Sequence, residues 1–342
     1  MERREFLQKS LQVTAATTLG TVAFLKVNRS YWSENKSAPP EIPLVVRSRL
    51  NHQSQEDSPT IGPYLSALDH GVALLTGERG LAAYKKLFPR GKVAIKVNCA
   101  SILNPNLSLI DALLKRLSDI GIKKVVIWDR FAEDLSKSGY PIQKVGNYKF
   151  IGTDSLDQAY PKSPEIFPFC LPQQQNSALK QSEPSLWDTS FSNILWEQCD
   201  HLISIAVLKD HARCGVSLTM KNTYGMIHNP HKLHDHQCYP YLLGLNQHPL
   251  LRMKTKLFLI DAHRGQYHGG PQWNSQYLFY PQVLYLSRSA LAIDQEGWKV
   301  IENERHKAGL VSLASENRTP LYLQEPQEPG WQGYRLVETS SI

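Results

Sequence analysis

The sequence predicts an α/β fold, a mainly parallel sheet with helices on both faces, Rossmann-like in layout but without a nucleotide fingerprint. Three observations carry this expectation. Lys92–Val97 (KVAIKV) alternates like a strand, and Lys124–Trp128 (KVVIW) reads as a second one. Between them Ser108–Ile120 has amphipathic helical spacing, with Ser108 and Asp111 near its start and Gly121 after its end. The joints are short, so strand, helix and strand form a βαβ unit, which implies parallel pairing. Upstream, Pro63–Phe88 has helical spacing of apolar residues. Downstream, His201–Leu208 (HLISIAVL) is the near-continuous apolar run of a strand buried on both faces. Ser217–Met226 and Pro240–Leu251 are helix candidates, Lys256–Ile260 and Gln282–Leu286 are strands, and Ala290–His306 is a long helix.

Residues 1–30 read as a twin-arginine export signal. Arg3-Arg4 and Phe6-Leu7 precede a mildly apolar stretch, Leu11–Leu25, followed by Lys26 and Arg29. This places the protein outside the cytoplasm, in a periplasm, with an uncleaved N-terminal anchor or an ordinary N-terminal helix as the alternatives. Residues 31–60 are polar and contain Pro; they read as a linker with one strand-like run, Ile42–Val46. Residues 61–320 read as a single α/β domain with a Gln-, Ser- and Pro-rich insertion at 171–191, and residues 321–342 as a tail.

Composition removes several classes of function. Apolar residues at 42% and charged residues at 20% can bury a core, which excludes a wholly disordered, collagen-like or coiled-coil chain. The net charge of +7 is mild for 342 residues, and no run of five Lys or Arg occurs, so no nucleic-acid partner is expected. No apolar stretch reaches the length of a membrane span, so no multi-span membrane region is expected. Five cysteines do not make a disulfide scaffold; Cys170, Cys199, Cys214 and Cys238 could pair in an oxidising compartment, with connectivity left open. Phosphate-loop, dinucleotide-loop and nucleophile-elbow motifs are absent, as is four-cysteine ferredoxin spacing.

Four apolar strands end in distinctive polar residues. The first ends in Asn98 and Cys99, the second in Asp129 and Arg130, the third in Lys209, Asp210 and His211, and the fourth in Asp261 with His263 beyond. Ligands of open parallel sheets bind outside the carboxyl ends of the strands, so these residues are expected to share one cleft. Strands must also end somewhere, and polar residues commonly end them. Nine of the twelve histidines fall between His201 and His268. The segment His228–Cys238 alone packs four His and one Cys, the preferred ligands of zinc, iron and copper. A His-rich surface loop is the plainer alternative. Gly269-Gly270-Pro271 reads as a ligand-contacting loop or a plain tight turn.

Taken in order, these segments resemble the family called domain of unknown function 362. The residues that carry the resemblance are Val93–Cys99, Ile127–Arg130, Leu208–His211, Thr219–Gly225, Asn229–His234 with Cys238, Asp261 through Gly269-Gly270-Pro271, and Leu291–Asp294. The resemblance spans about residues 60 to 310 and implies the fold and the site positions, not a reaction. Some relatives carry an added ferredoxin-like segment, which implies redox surroundings; the iron–sulfur link is weak here.

The resulting expectation is an exported α/β protein that holds a metal or redox cofactor in a cleft at the strand carboxyl ends, as an oxidoreductase-type or metal-dependent enzyme. The alternative is a non-catalytic accessory protein that binds a metal or a small anion. His211, His234 and Cys238 would hold a transition metal. Lys209 and Lys221 would bind an anionic group or move a proton, and Asp129 would orient a ligand or base. Asn98, Asn222, Asp261, Gly269 and Gly270 would contact the cofactor. Exchange of both Arg3 and Arg4 for Lys is expected to hold the protein in the cytoplasm on fractionation of the native host; unchanged export of that variant contradicts the signal.

Overall fold

The structure, a computed structural model, describes residues 42–51, 58–156, 159–160, 189–239, 241–324 and 331–339. The expected export signal and most of the insertion at 171–191 lie outside the described residues. The strands are β1 (Leu44–Arg49), β2 (Val93–Lys96), β3 (Val125–Asp129), β4 (Lys144–Val145), β5 (Tyr148–Gly152), β6 (His201–His211), β7 (Gly215–Ser217), β8 (Thr255–Gln266), β9 (Leu278–Phe279), β10 (Val283–Ser287) and β11 (Arg335–Thr339). The helices are α1 (Ile61–Thr76), α2 (Gly80–Leu87), α3 (Leu107–Asp119), α4 (Ala132–Lys137), α5 (Thr219–Asn222), α6 (Tyr241–Gln247), α7 (Pro249–Lys254), α8 (Ala290–Lys307) and α9 (Leu321–Gln324). The main sheet runs β11-β1-β10-β8-β6-β2-β3-β5-β4. Its centre, from β8 through β6, β2 and β3 to β5, is parallel, while β10 and β4 pair antiparallel.

The expected βαβ unit is β2, α3 and β3, with β2 and β3 in register from Val93↔Val125 to Lys96↔Trp128. Helix α3 starts one residue earlier than the spacing implied, because Asn106 is its cap: the side chain accepts from the Ser108 N–H at 2.8 Å. It ends in a Schellman motif. The Ile122 N–H donates to the Leu117 carbonyl and the Gly121 N–H to the Ser118 carbonyl, both at 2.9 Å, with Gly121 at φ +85°.

Strand alternation divides the core into two layers. Ile95, Ile127, Ile203, Ile205, Leu257 and Leu259 face α1, α2 and α3; Ala94, Trp128, Leu202, Leu208, Phe258 and Ile260 face the opposite layer with α5 to α8. Helices therefore cover both faces, as expected. No helix among the described residues is long and apolar enough to cross a membrane.

Two flanking segments add strands to the sheet. The strand-like run Ile42–Val46 overlaps strand β1, which extends to Arg49 and is held antiparallel on β10 and parallel on β11. Part of the expected tail is likewise ordered, as α9 and β11. The reason is long-range pairing: β1 has little alternation of its own and is stabilised by partners more than two hundred residues away.

At the carboxyl end the strands part. Beyond Val207↔Asp261 the register of β6 and β8 jumps to Leu208↔Gly265, which expels residues 262–264 from the pairing. Strand β6 continues past its parallel neighbours and turns back as β7, with Lys209 opposite Ser217 and His211 opposite Gly215. This opening is where the polar residues gather.

Candidate functional site

The loop after β2, the end of β3, the projecting end of β6 and the short helix α5 meet at the carboxyl end of the sheet. Lys96 is buried there, and its Nζ donates to Asp129 Oδ1 (2.6 Å), Asn222 Oδ1 (3.0 Å) and the Val97 carbonyl (2.7 Å). All three ammonium protons are used. Asp129 also accepts the Cys99 N–H and the Arg130 N–H, each at 2.7 Å. The Asn222 amide nitrogen donates to Ser204 Oγ (3.0 Å), the Ile205 carbonyl (3.2 Å) and the Lys96 carbonyl (3.3 Å). Gly225 lies over the pair: a Cβ there would come within 2.6 Å of Lys96 Nζ and 3.1 Å of Asp129 Oδ1. Asp129 and Asn222, expected to act on a ligand, are thus engaged in joining α5 to the sheet.

Beside this saturated cluster stand two lysines of a different kind. Lys209 is 1% exposed, and its Nζ donates to Asn98 Oδ1 (3.1 Å) and Ser101 Oγ (3.0 Å), both neutral acceptors. Lys221 Nζ lies 3.0 Å from His234 Nε2 and 4.3 Å from the centre of the Tyr224 ring. Neither lysine forms an ion pair among the described residues. The imidazoles have defined protons. His234 Nδ1 is 2.9 Å from the Pro230 carbonyl and donates to it, so Nε2 accepts from Lys221. His211 Nδ1 accepts the Arg213 and Cys214 N–H groups at 3.1 and 3.2 Å, so its proton sits on Nε2. The two rings stack with centroids 6.1 Å apart.

Burial shifts all four of these groups, and neighbouring positive charge adds to the shift at three of them. Burial, and then the charge of Lys209, brings Lys221 down to about 7. Burial brings Lys209 down to about 8, against the opposing pull of Asp129. Burial and then Lys221, His234, Lys209 and Arg213 push His211 down to about 2. His234 falls to about 4, by burial and then Lys221. Loss of water disfavours the cation at all four groups, and neighbouring cations add to it at Lys221, His211 and His234.

A family model described as domain of unknown function (DUF362) matches residues 93–299, more than half of the chain. The chain belongs to this family. The matched span runs from β2 into α8 and holds every side chain of the cluster just described. No curated protein matches. A crystal structure of a Thermotoga maritima protein, solved as a structural genomics target, is similar at 12% identity with a TM-score of 0.40. The alignment covers 75% of this chain and 61% of that one, so the chain spans about three-fifths of that protein's length.

Within this DUF362 chain the expected three-ligand metal site is not formed. Cys238 is joined to Cys214 in a disulfide, with Cα atoms 5.6 Å apart, so its sulfur is no thiolate ligand. Both nitrogens of His234 and Nδ1 of His211 are already hydrogen-bonded. No group of three His, Cys, Asp or Glu among the described residues is placed to hold a metal ion.

Asp261 also differs from expectation. Its carboxylate accepts the Tyr64 hydroxyl (2.9 Å), the Asn106 N–H (2.7 Å) and the His263 N–H (3.3 Å), with His263 Nδ1 at 3.2 Å. Burial raises its pKa, but His263, Asn106 and Tyr64 outweigh that and hold it below the ordinary value. It braces the loop after β2 rather than facing the lysines. Gly270 serves a backbone contact: its N–H donates to Asp210 Oδ1 at 2.6 Å, and a Cβ would strike the Asp210 carbonyl at 2.2 Å. Gly269, at φ +80°, makes the turn before it. Asn98 stays in the cleft as the acceptor for Lys209.

Sequence reasoning did not select Lys96, Ser101 or Asp294 as site residues. Asp294 on α8 accepts the Thr219 N–H (2.8 Å), the Thr219 hydroxyl (2.6 Å) and the Met220 N–H (2.7 Å), which fixes the start of α5 and hence Lys221. Two signals were available: Lys96 and Asp129 stand at or beside the ends of neighbouring strands, and Lys96 and Asp294 lie in segments that carry the family resemblance.

The lowered pKa of Lys221 fixes a sign. Below about 7 the lysine is charged in both folded and unfolded chains and its burial cost is complete; as pH rises towards its ordinary 10.5 the folded state holds fewer protons and the cost is relieved. Urea denaturation of Lys221→Met beside the unchanged protein is expected to show the Met variant's relative stability greatest below pH 7 and declining through pH 8 and 9. A pH-independent difference contradicts the shift.

Proposed function

We propose that the cleft binds a small anion, a carboxylate or phosphate group of a small molecule, held between Lys209 and Lys221 with the His211 Nε2–H as a neutral donor. One observation carries this reading: two lysine head groups, Lys209 almost wholly buried and Lys221 partly buried, have no carboxylate partner among the described residues. An unpaired buried charge costs several kcal/mol, whereas a bound anion supplies the missing charge. Donors remain for it. Lys209 uses two of its three ammonium protons and Lys221 one. Asp129 takes none of these protons, since its carboxylate bonds Lys96; its charge acts on Lys209 only from beyond hydrogen-bond reach. The arrangement supports the anion-binding alternative over the metal-centred one, which loses its sulfur ligand to the disulfide. The paired arginines near the N-terminus and the Cys214–Cys238 disulfide both support an exported protein, because disulfides persist in oxidising compartments.

Isothermal titration of the full chain with inorganic phosphate and with acetate, at low ionic strength, tests the reading. Binding of at least one is expected. Lys209→Ala and Lys221→Ala should each weaken it by roughly ten-fold or more, as loss of a charge-assisted hydrogen bond does. Absence of binding, or binding unaffected by either variant, contradicts it.

A further inference from the structure

We propose that Lys221 is a nucleophilic amine that forms a Schiff base with a small carbonyl compound whose anionic group is held by Lys209. The inference rests on the anion-binding reading and adds a reaction to it. It starts from the difference between the site's three lysines. Lys96 has its protons fully used and an ion pair at 2.6 Å. Lys209 is anchored by two neutral oxygens and is almost wholly enclosed. Lys221 alone meets one partner, and that partner is an imidazole nitrogen rather than an oxygen. It is also only partly buried, so a ligand can reach it.

A lysine becomes a nucleophile when its neutral form is favoured, by loss of water or by a second cation nearby. Both causes act on Lys221, and both follow from its position beside Lys209 and over the Tyr224 ring. The orientation is fixed from two sides. Asp294 holds the first turn of α5, and His234 meets the amine through Nε2, with its Nδ1–H anchored on the Pro230 carbonyl. A neutral imidazole that presents a lone pair to the amine can accept a proton which the nitrogen sheds on attack.

The step balances without an oxidant or reductant. The amine lone pair forms the C–N bond while the carbonyl π pair moves to oxygen, which takes up a proton. The carbinolamine then expels that oxygen as water, and the nitrogen's two original protons are the ones that leave with it. An imine remains on Lys221. The smallest substrates of this class are 2-oxo acids; phosphorylated aldehydes and ketones share the same two groups.

Borohydride reduction of the full-length protein with pyruvate, and separately with dihydroxyacetone phosphate, tests the inference. Reduction makes the adduct permanent, and peptide mass spectrometry locates it. Modification is expected at Lys221, with at least one of the two probes, ahead of the exposed lysines. Inorganic phosphate should suppress it. Lys209→Ala should lower the yield by roughly ten-fold while leaving the position unchanged. Lys221→Arg cannot form an imine, so it should lose the adduct, while the exposed lysines keep whatever background labelling they show in the unchanged protein. If phosphate binds as expected but both probes mark only surface lysines, the Schiff-base inference is overturned and the anion reading stands. If phosphate and acetate do not bind at all, the anion reading itself fails.

Discussion

Asp129 has one negative charge to give, and Lys96 takes it. That buried pair, 2.6 Å between Nζ and Oδ1, decides the electrostatics of everything around it. A buried ion pair survives only when its remaining hydrogen bonds are satisfied. Here Asn222, the Val97 carbonyl and the Cys99 and Arg130 N–H groups satisfy them. Asn222 draws α5 onto the sheet, Gly225 lets the chain close over the pair, and the turn after β2 is bound to the end of β3. The consequence lies next door. With Asp129 committed, the hydrogen-bond partners of Lys209 and Lys221 are neutral, and the charge of Lys209 makes that of Lys221 more costly.

The surrounding structure holds that arrangement against its own repulsion. Asp294 caps α5 from below, and Asp261 braces the turn carrying Asn98 and Ser101 through the Asn106 N–H. The Cys214–Cys238 disulfide ties the β6–β7 turn to the segment that carries His234. On the far side of β6, Asp210 pairs with Arg318, Arg318 with Glu316, and Glu316 with the fully buried Arg305 of α8. Charges on that side are thus closed into a chain of ion pairs, in contrast to the open lysines of the cleft.

Much of this was legible in the chain. The strands around β2, β3, β6 and β8 declare themselves by apolar runs, and the helix between β2 and β3 by its spacing. Lys209, Lys221 and Asn98 followed from where those strands end and from the family resemblance. What failed did so for physical reasons. Strand β1 showed only as the strand-like run Ile42–Val46, because its extent to Arg49 depends on β10 and β11, partners distant in sequence. The histidine-rich segment looked like a ligand set because composition shows donors, not their hydrogen bonds. Only the fold brings Lys221 to His234 and Cys214, 24 residues away, to Cys238. Lys96 was hidden inside an alternating run, where a polar residue reads as solvent-facing; here it is 1% exposed.

The central claim is that these two ammonium groups await a negative charge. Binding an anion must then favour their charged forms and draw protons from solution. Calorimetry of phosphate or acetate binding near pH 8, in buffers of different ionisation heat, measures that proton count directly. The account predicts net proton uptake, diminished in Lys221→Met. Binding with no proton uptake contradicts it, for the anion would then be held by groups that were already fully charged.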